Sequence, residues 1–103
     1  MQFTLYIETS NLEETNLFID DFISNAMRHN VAMSVEDIEK YRKIDEMYIL
    51  SLVVNQDSLN NVNKFLCMIA SKWLEFPDEY LASKMLEDCE VYIKNLNMII
   101  AHR

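Results

Sequence analysis

Glycine is absent from this 103-residue chain and proline occurs once, at Pro77, where average usage would supply roughly seven and five. That absence excludes a Gly-rich phosphate loop, a dinucleotide-binding fingerprint and a G-x-S-x-G nucleophile elbow, each of which needs backbone geometry that a Cβ obstructs. Asparagine, at Asn11, Asn30, Asn55, Asn95 and elsewhere, is left to supply the turns, since it tolerates the left-handed region better than most residues.

Cysteine and histidine are scarce too, with two of each. Cys67, Cys89, His29 and His102 show none of the familiar zinc spacings, so no metal is expected. A nucleophilic site needs a base beside a thiol or hydroxyl. His29 falls at the end of a helix, where it favours the negative end of the dipole, and His102 lies on a tail that reads as frayed. Both cysteines fall on helix faces that read as buried, where a thiol packs as a small hydrophobe; a bridge between them is not implied. No catalytic residue and no cofactor is expected, and the chain reads as a non-enzyme.

Positive charge is the third shortage. Nine bases face 17 acids, a formal charge of −8, which repels phosphate backbones and leaves no basic patch for counterion release. Direct binding to nucleic acid is not expected. The same charge steers a cationic partner toward the surface. No apolar run approaches the roughly 20 residues that span a bilayer, so no membrane partner is expected. The opening "MQFTLYIETS" lacks a basic stretch followed by an apolar core and a cleavage site, and the chain reads as cytoplasmic.

Half of the residues are apolar, enough for one core, and residues 1–103 read as a single α+β domain. "QFTLYIE" alternates as a half-buried strand, with Phe3, Leu5 and Ile7 on one side. Ser10 and Glu13 form a capping box for a helix over Asn11 to His29. "EMYILSLVV", Glu46 to Val54, is apolar on both parities and reads as a central strand that needs neighbours. A preceding strand over Asp37 to Lys43 would supply one, although "VEDIEKYRK" also fits a short helix. Asp57 or Ser58 caps a helix running from Leu59 through Trp73. Pro77 then starts a long helix in which Leu81 to Ile100 keep the helical period, with "EVYIKN" or "NMIIAHR" as an alternative closing strand.

The resulting β-α-β-β-α order matches the first five elements of the split βαβ, ferredoxin-like arrangement. That arrangement hosts many unrelated activities and licenses none. A central strand apolar on both faces carries a further implication. Two helices cover one face, so the last helix or a second copy of the chain should cover the other.

Six adjacent acid pairs occur, but neighbours in sequence diverge on a helix or strand and do not converge on a metal or a glycosidic bond. Glu13 and Glu14 have a structural use near a helix start. Asp20 and Asp21 do not, because mid-helix aspartate is a modest helix former. At i±3 and i±4 around Leu17, these four carboxylates ring an exposed leucine, an apolar contact inside a rim that attracts lysine and arginine. The methionines Met27, Met33, Met68, Met85 and Met98 are scattered and read as core filling.

Together these features describe an acidic binding and inhibitory protein that occludes a basic partner such as a nuclease toxin. An immunity protein or antitoxin fits, with Glu13, Glu14, Leu17, Asp20 and Asp21 as the partner-binding residues. A phage-encoded mimic of nucleic-acid charge and a self-associating scaffold subunit are the alternatives, and a homodimer is left open.

Overall fold

The alternation in "QFTLYI" is resolved as β1, Gln2–Ile7, with Phe3, Leu5 and Ile7 fully buried and Gln2, Thr4 and Tyr6 half-buried on the opposite face. The computed structural model describes residues 1–103. After β1 come α1 (Leu12–Arg28), β2 (Met33–Lys40), β3 (Tyr48–Val54), a 3₁₀ turn (Gln56–Asn61), α2 (Val62–Ile69), β4 (Leu74–Glu75), β5 (Glu79–Ser83) and β6 (Leu96–His102). They build one six-stranded sheet in the order β2-β3-β1-β6-β5-β4, antiparallel throughout.

This sheet overturns the β-α-β-β-α domain of ferredoxin-like order that ends in a long helix. Residues 81–100 form no helix: β5 and β6 frame an irregular stretch, and β6 closes on the free edge of β1 with Leu5 opposite Ile99. The physical reason is an obligation that helical periodicity does not register. β1, buried on one face and half-buried on the other, has two edges of backbone donors and acceptors; β3 satisfies one, and the other requires a strand. The helical spacing of Leu86, Cys89 and Ile93 is used differently, because these side chains meet the core from irregular backbone. Asp88 and Asn95 adopt φ of 60° and 71° within that stretch, a conformation no helix accommodates.

Other boundaries also shift. Pro77 opens no helix: it occupies, with Asp78, the tip of the β4–β5 hairpin, where the Phe76 N–H donates to the Glu79 carbonyl at 2.8 Å. "SVEDIEK" is strand, and β2 begins at Met33, ahead of the expected Asp37. The helix expected to reach Trp73 stops at Ile69, where Ala70 turns extended and bridges to Val91. Past the helix end, the Trp73 indole N–H donates to the Leu66 carbonyl at 2.9 Å, satisfying a terminal acceptor.

The cap of α1 lies one residue beyond Ser10. Asn11 Oδ1 accepts from the Glu14 N–H at 2.9 Å, while the Glu14 carboxylate accepts from the Ser10 N–H at 2.8 Å, a reciprocal closure of the capping-box kind. Beneath it the Thr9 and Thr15 hydroxyls pair at 2.7 Å in the interior. At the other end Asn30 (φ 61°) terminates the helix, with Asn30 N–H to the Met27 carbonyl and Val31 N–H to the Ala26 carbonyl. This is the Schellman arrangement, with asparagine in the place glycine usually takes and Val31 anchored in the core.

Both helices lie on the same face of the sheet. Phe18, Phe22 and Ala26 of α1 and Val62, Phe65 and Ile69 of α2 join one cluster with Phe3, Leu5, Leu50, Leu52 and Ile99. Leu86, Val91 and Ile93 pack against that cluster as well. The opposite face receives no helix.

Candidate functional site

The 17 residues of α1 divide cleanly. Thr15, Phe18, Ile19, Phe22 and Ala26 point into the core, and Glu13, Glu14, Leu17, Asp20 and Asp21 are all exposed, with Leu17 retaining 62% of its surface. Glu13 and Asp20 flank Leu17 along one side, and Glu14 and Asp21 along the other. No lysine, arginine or histidine pairs with any of these four carboxylates; the ion pairs of the molecule are Lys84 with Glu8, His102 with Glu79 and Arg103 with Glu75. The four are not equivalent, since Glu14 is already committed to the helix cap and the other three carry no such bond.

The fold adds residues that proximity in sequence does not disclose. An open depression of about 410 Å³ runs between α1 and the segment before β6, where Glu14, Leu17 and Asp21 face Glu8, Lys94 and Asn95. It continues into a second depression that shares Asp21 and Lys94 and reaches Tyr92, whose ring is 57% exposed. Glu8, Tyr92 and Lys94 therefore belong to the same surface. No local signal discloses Tyr92: in sequence it keeps the same helical period as Cys89 and Ile93, and only the irregular backbone before β6 turns it outward.

A hydroxyl, an imidazole and a carboxylate also meet on the helix-free face of the sheet. Thr4 Oγ1 lies 3.1 Å from His102 Nε2, and His102 Nδ1 lies 3.5 Å from a Glu79 oxygen. His102 is thus held inside β6 and is not on a frayed tail. Acyl transfer would further need a cleft and convergent N–H donors for an oxyanion. The depressions beside α1, at Ala32–Ser34, at Ser71 and Asp88–Glu90 and at Ile44–Met47 are lined by none of these three residues. The Thr4–His102 hydrogen bond joins β1 to β6 and the Glu79–His102 contact joins β5 to β6, which is sufficient use for them. At the end of α1, His29 Nδ1 lies 2.9 Å from the Asn25 carbonyl and its ring rests near Phe65.

Expectations for the soft residues need correction. Cys67 is exposed on α2, and Cys89 is buried in irregular backbone, its thiol donating to the Lys72 carbonyl at 3.3 Å; both thiols are free. Met33 is in the core, but Met27, Met68 and Met85 are exposed, so gap filling does not explain them. No three histidine, cysteine or acidic side chains converge in a group able to hold a metal ion. No helix is long and apolar enough to cross a membrane. Comparison with protein-family models, with curated proteins and with solved structures returns no match for this chain.

Proposed function

We propose that the chain is an acidic binding and inhibitory protein, of the immunity-protein or antitoxin kind, whose α1 surface occludes a basic partner such as the cationic groove of a nuclease toxin. One observation carries this reading: beside an exposed Leu17, Asp20 and Asp21 have neither an ion pair, a hydrogen bond nor a place in the first turn to account for them, and Glu13 of the first turn adds a further unpaired carboxylate. Unpaired carboxylates on a chain of net charge −8 accelerate encounter with a cationic surface. Once docked, Leu17 and Tyr92 supply the dehydrated apolar contact that slows dissociation, and the acids form a rim that selects lysine and arginine. Occlusion demands no reactive group of the inhibitor itself.

The test compares proteins retained from lysate of the source cells by wild type, by a variant with Glu13, Glu14, Asp20 and Asp21 changed to lysine, and by a control with Glu36, Asp37 and Glu39 changed to lysine. The expected result is a basic protein held stoichiometrically by wild type and by the control, and lost from the folded α1 variant. Loss from both variants would reduce the effect to net charge and defeat the assignment to α1. Retention by both would remove α1 from the interface.

A further inference from the structure

The sheet face opposite the helices is built for contact, and it is chemically unlike α1. On it lie Tyr6 of β1, Ile49 and Val53 of β3, Leu81 of β5, and Met98 and Ile100 of β6, brought together by the registers Tyr6↔Ile49, Tyr6↔Met98 and Leu81↔Ile100. None of these six packs against the core cluster. Between them are Thr4 and Ser51, which are opposite each other, so the middle of the face is uncharged. Its acids are marginal: Glu79 is engaged by His102, Glu36 accepts from the Gln2 side chain, and Glu36, Asp37 and Glu39 all lie on edge strand β2. Tyr41 folds edge-on against Tyr6 at 5.7 Å and closes one end.

An antiparallel sheet with one face in water normally alternates apolar and polar residues, and β3 and β6 depart from that pattern by placing Ile49, Val53, Met98 and Ile100 on the outer face. Here α1, α2 and the irregular stretch before β6 are all spent on one side. We propose that the second cover is another copy of this chain, in a two-fold face-to-face dimer of sheets. Charge favours that occupant. Two chains of −8 repel wherever carboxylates are apposed, and this face is where they meet with none in the centre. A cationic protein finds no anion at the centre to pair with, only the acids of the margin, and an anionic lipid surface repels the chain as a whole. Area sets the strength. The four strands that carry the patch, at about 4.8 Å spacing and up to about 20 Å of strand length, give roughly 300–400 Å² in projection per copy, so two copies with side-chain relief come near the ~1,000 Å² lower bound of a specific interface. An interface at that lower bound associates in the micromolar range.

Sedimentation equilibrium of the purified chain from about 1 to about 500 µM decides it. The expected wild-type result is a concentration-dependent shift from 12.2 kDa to twice that mass. Ile100→Asp places an unpaired charge in the contact and is expected to weaken the dimer by about 100-fold or more. Ile100→Thr, which keeps a β-branched strand residue and so keeps the fold, is expected to weaken it by about 10-fold. Glu13→Lys combined with Asp20→Lys is expected to leave the dimer intact, which separates this test from that of the α1 surface. A wild-type monomer at every concentration overturns the proposal and leaves the face to a different partner. A dimer that survives both Ile100 substitutions, or one lost on changing Glu13 and Asp20 alone, overturns it as well, because the contact then lies elsewhere.

Discussion

The outer face of α1 and the helix-free face of the sheet both lack a covering element, yet they are opposite kinds of surface. On α1 an isolated apolar side chain, Leu17, stands among carboxylates. On the sheet an apolar patch spans four strands, with hydroxyl groups between its members. The first attracts over a distance and is screened by salt. The second acts only on contact, through water released from apolar area, and is insensitive to moderate salt. Exposure of hydrophobic residues therefore says little until the charge around them is known: similar leucines and isoleucines lead to the proposal of a cationic partner in one setting and of a second copy of the chain in the other.

The sharpest way to break that comparison is to ask whether the two faces of β3 differ as claimed. Leu50 points into the core and Ile49, its neighbour, points to the bare face. Leu50→Ala is expected to cost about 2–5 kcal/mol, through lost transfer energy and the cavity left behind. Ile49→Ala, in dilute monomer, should cost under about 1 kcal/mol, because its site already borders water. Urea denaturation at sub-micromolar protein gives both values. Equal costs would mean that the outer face is covered within a single chain, and the dimer would lose its basis.

Smaller effects are expected from the ends of α1, which hold the acidic surface in place without touching the sheet face. Asn11→Ala removes the acceptor for the Glu14 N–H and should cost about 1 kcal/mol. Amide exchange should rise in the first turn, which carries Glu13 and Glu14, and stay unchanged in β3 and β6. At the other end Asn30→Gly should stabilise by a few tenths to about 1 kcal/mol, because asparagine at φ 61° carries a steric cost that glycine lacks. Asn30→Val should destabilise by about 1–2 kcal/mol for the converse reason. Thermal melts of the three variants check the signs.

These local features were the legible ones. Asn30 and Asn95 do occupy left-handed turns, as a chain without glycine requires, whereas Asn11 and Asn55 act as side-chain caps. The alternation of β1 and the division of α1 into buried and exposed sides follow from period alone. The C-terminal third was legible only as an alternative: "NMIIAHR" fits a closing strand and is β6, but Leu81 to Ile100 also satisfy a helical period, and the choice is decided by the unpaired edge of β1, some 90 positions away in sequence. The same non-local pairing explains why Tyr92 and Lys94 were missed beside α1: only a chain that leaves β5 irregularly and returns as β6 brings them there. The six acid pairs, so conspicuous in sequence, were less informative than the question of which carboxylates lack a partner.

The smallest expected effect on the folded chain bears most directly on α1. Asp20 and Asp21 accept no hydrogen bond and join no ion pair, and they lie beyond the first turn, where the helix dipole no longer favours an acid. Changing both to asparagine should therefore move stability by less than about 0.5 kcal/mol. If the pair serves a cationic partner, the same double variant should slow association and flatten its dependence on ionic strength, with dissociation changed far less. Stopped-flow association at several salt concentrations, alongside urea melts, would separate the two quantities. A stability change well above that bound would assign the aspartates to the fold. Unchanged stability with unchanged, salt-independent association would return Leu17 and its four acids to the ordinary solvated surface of a helix.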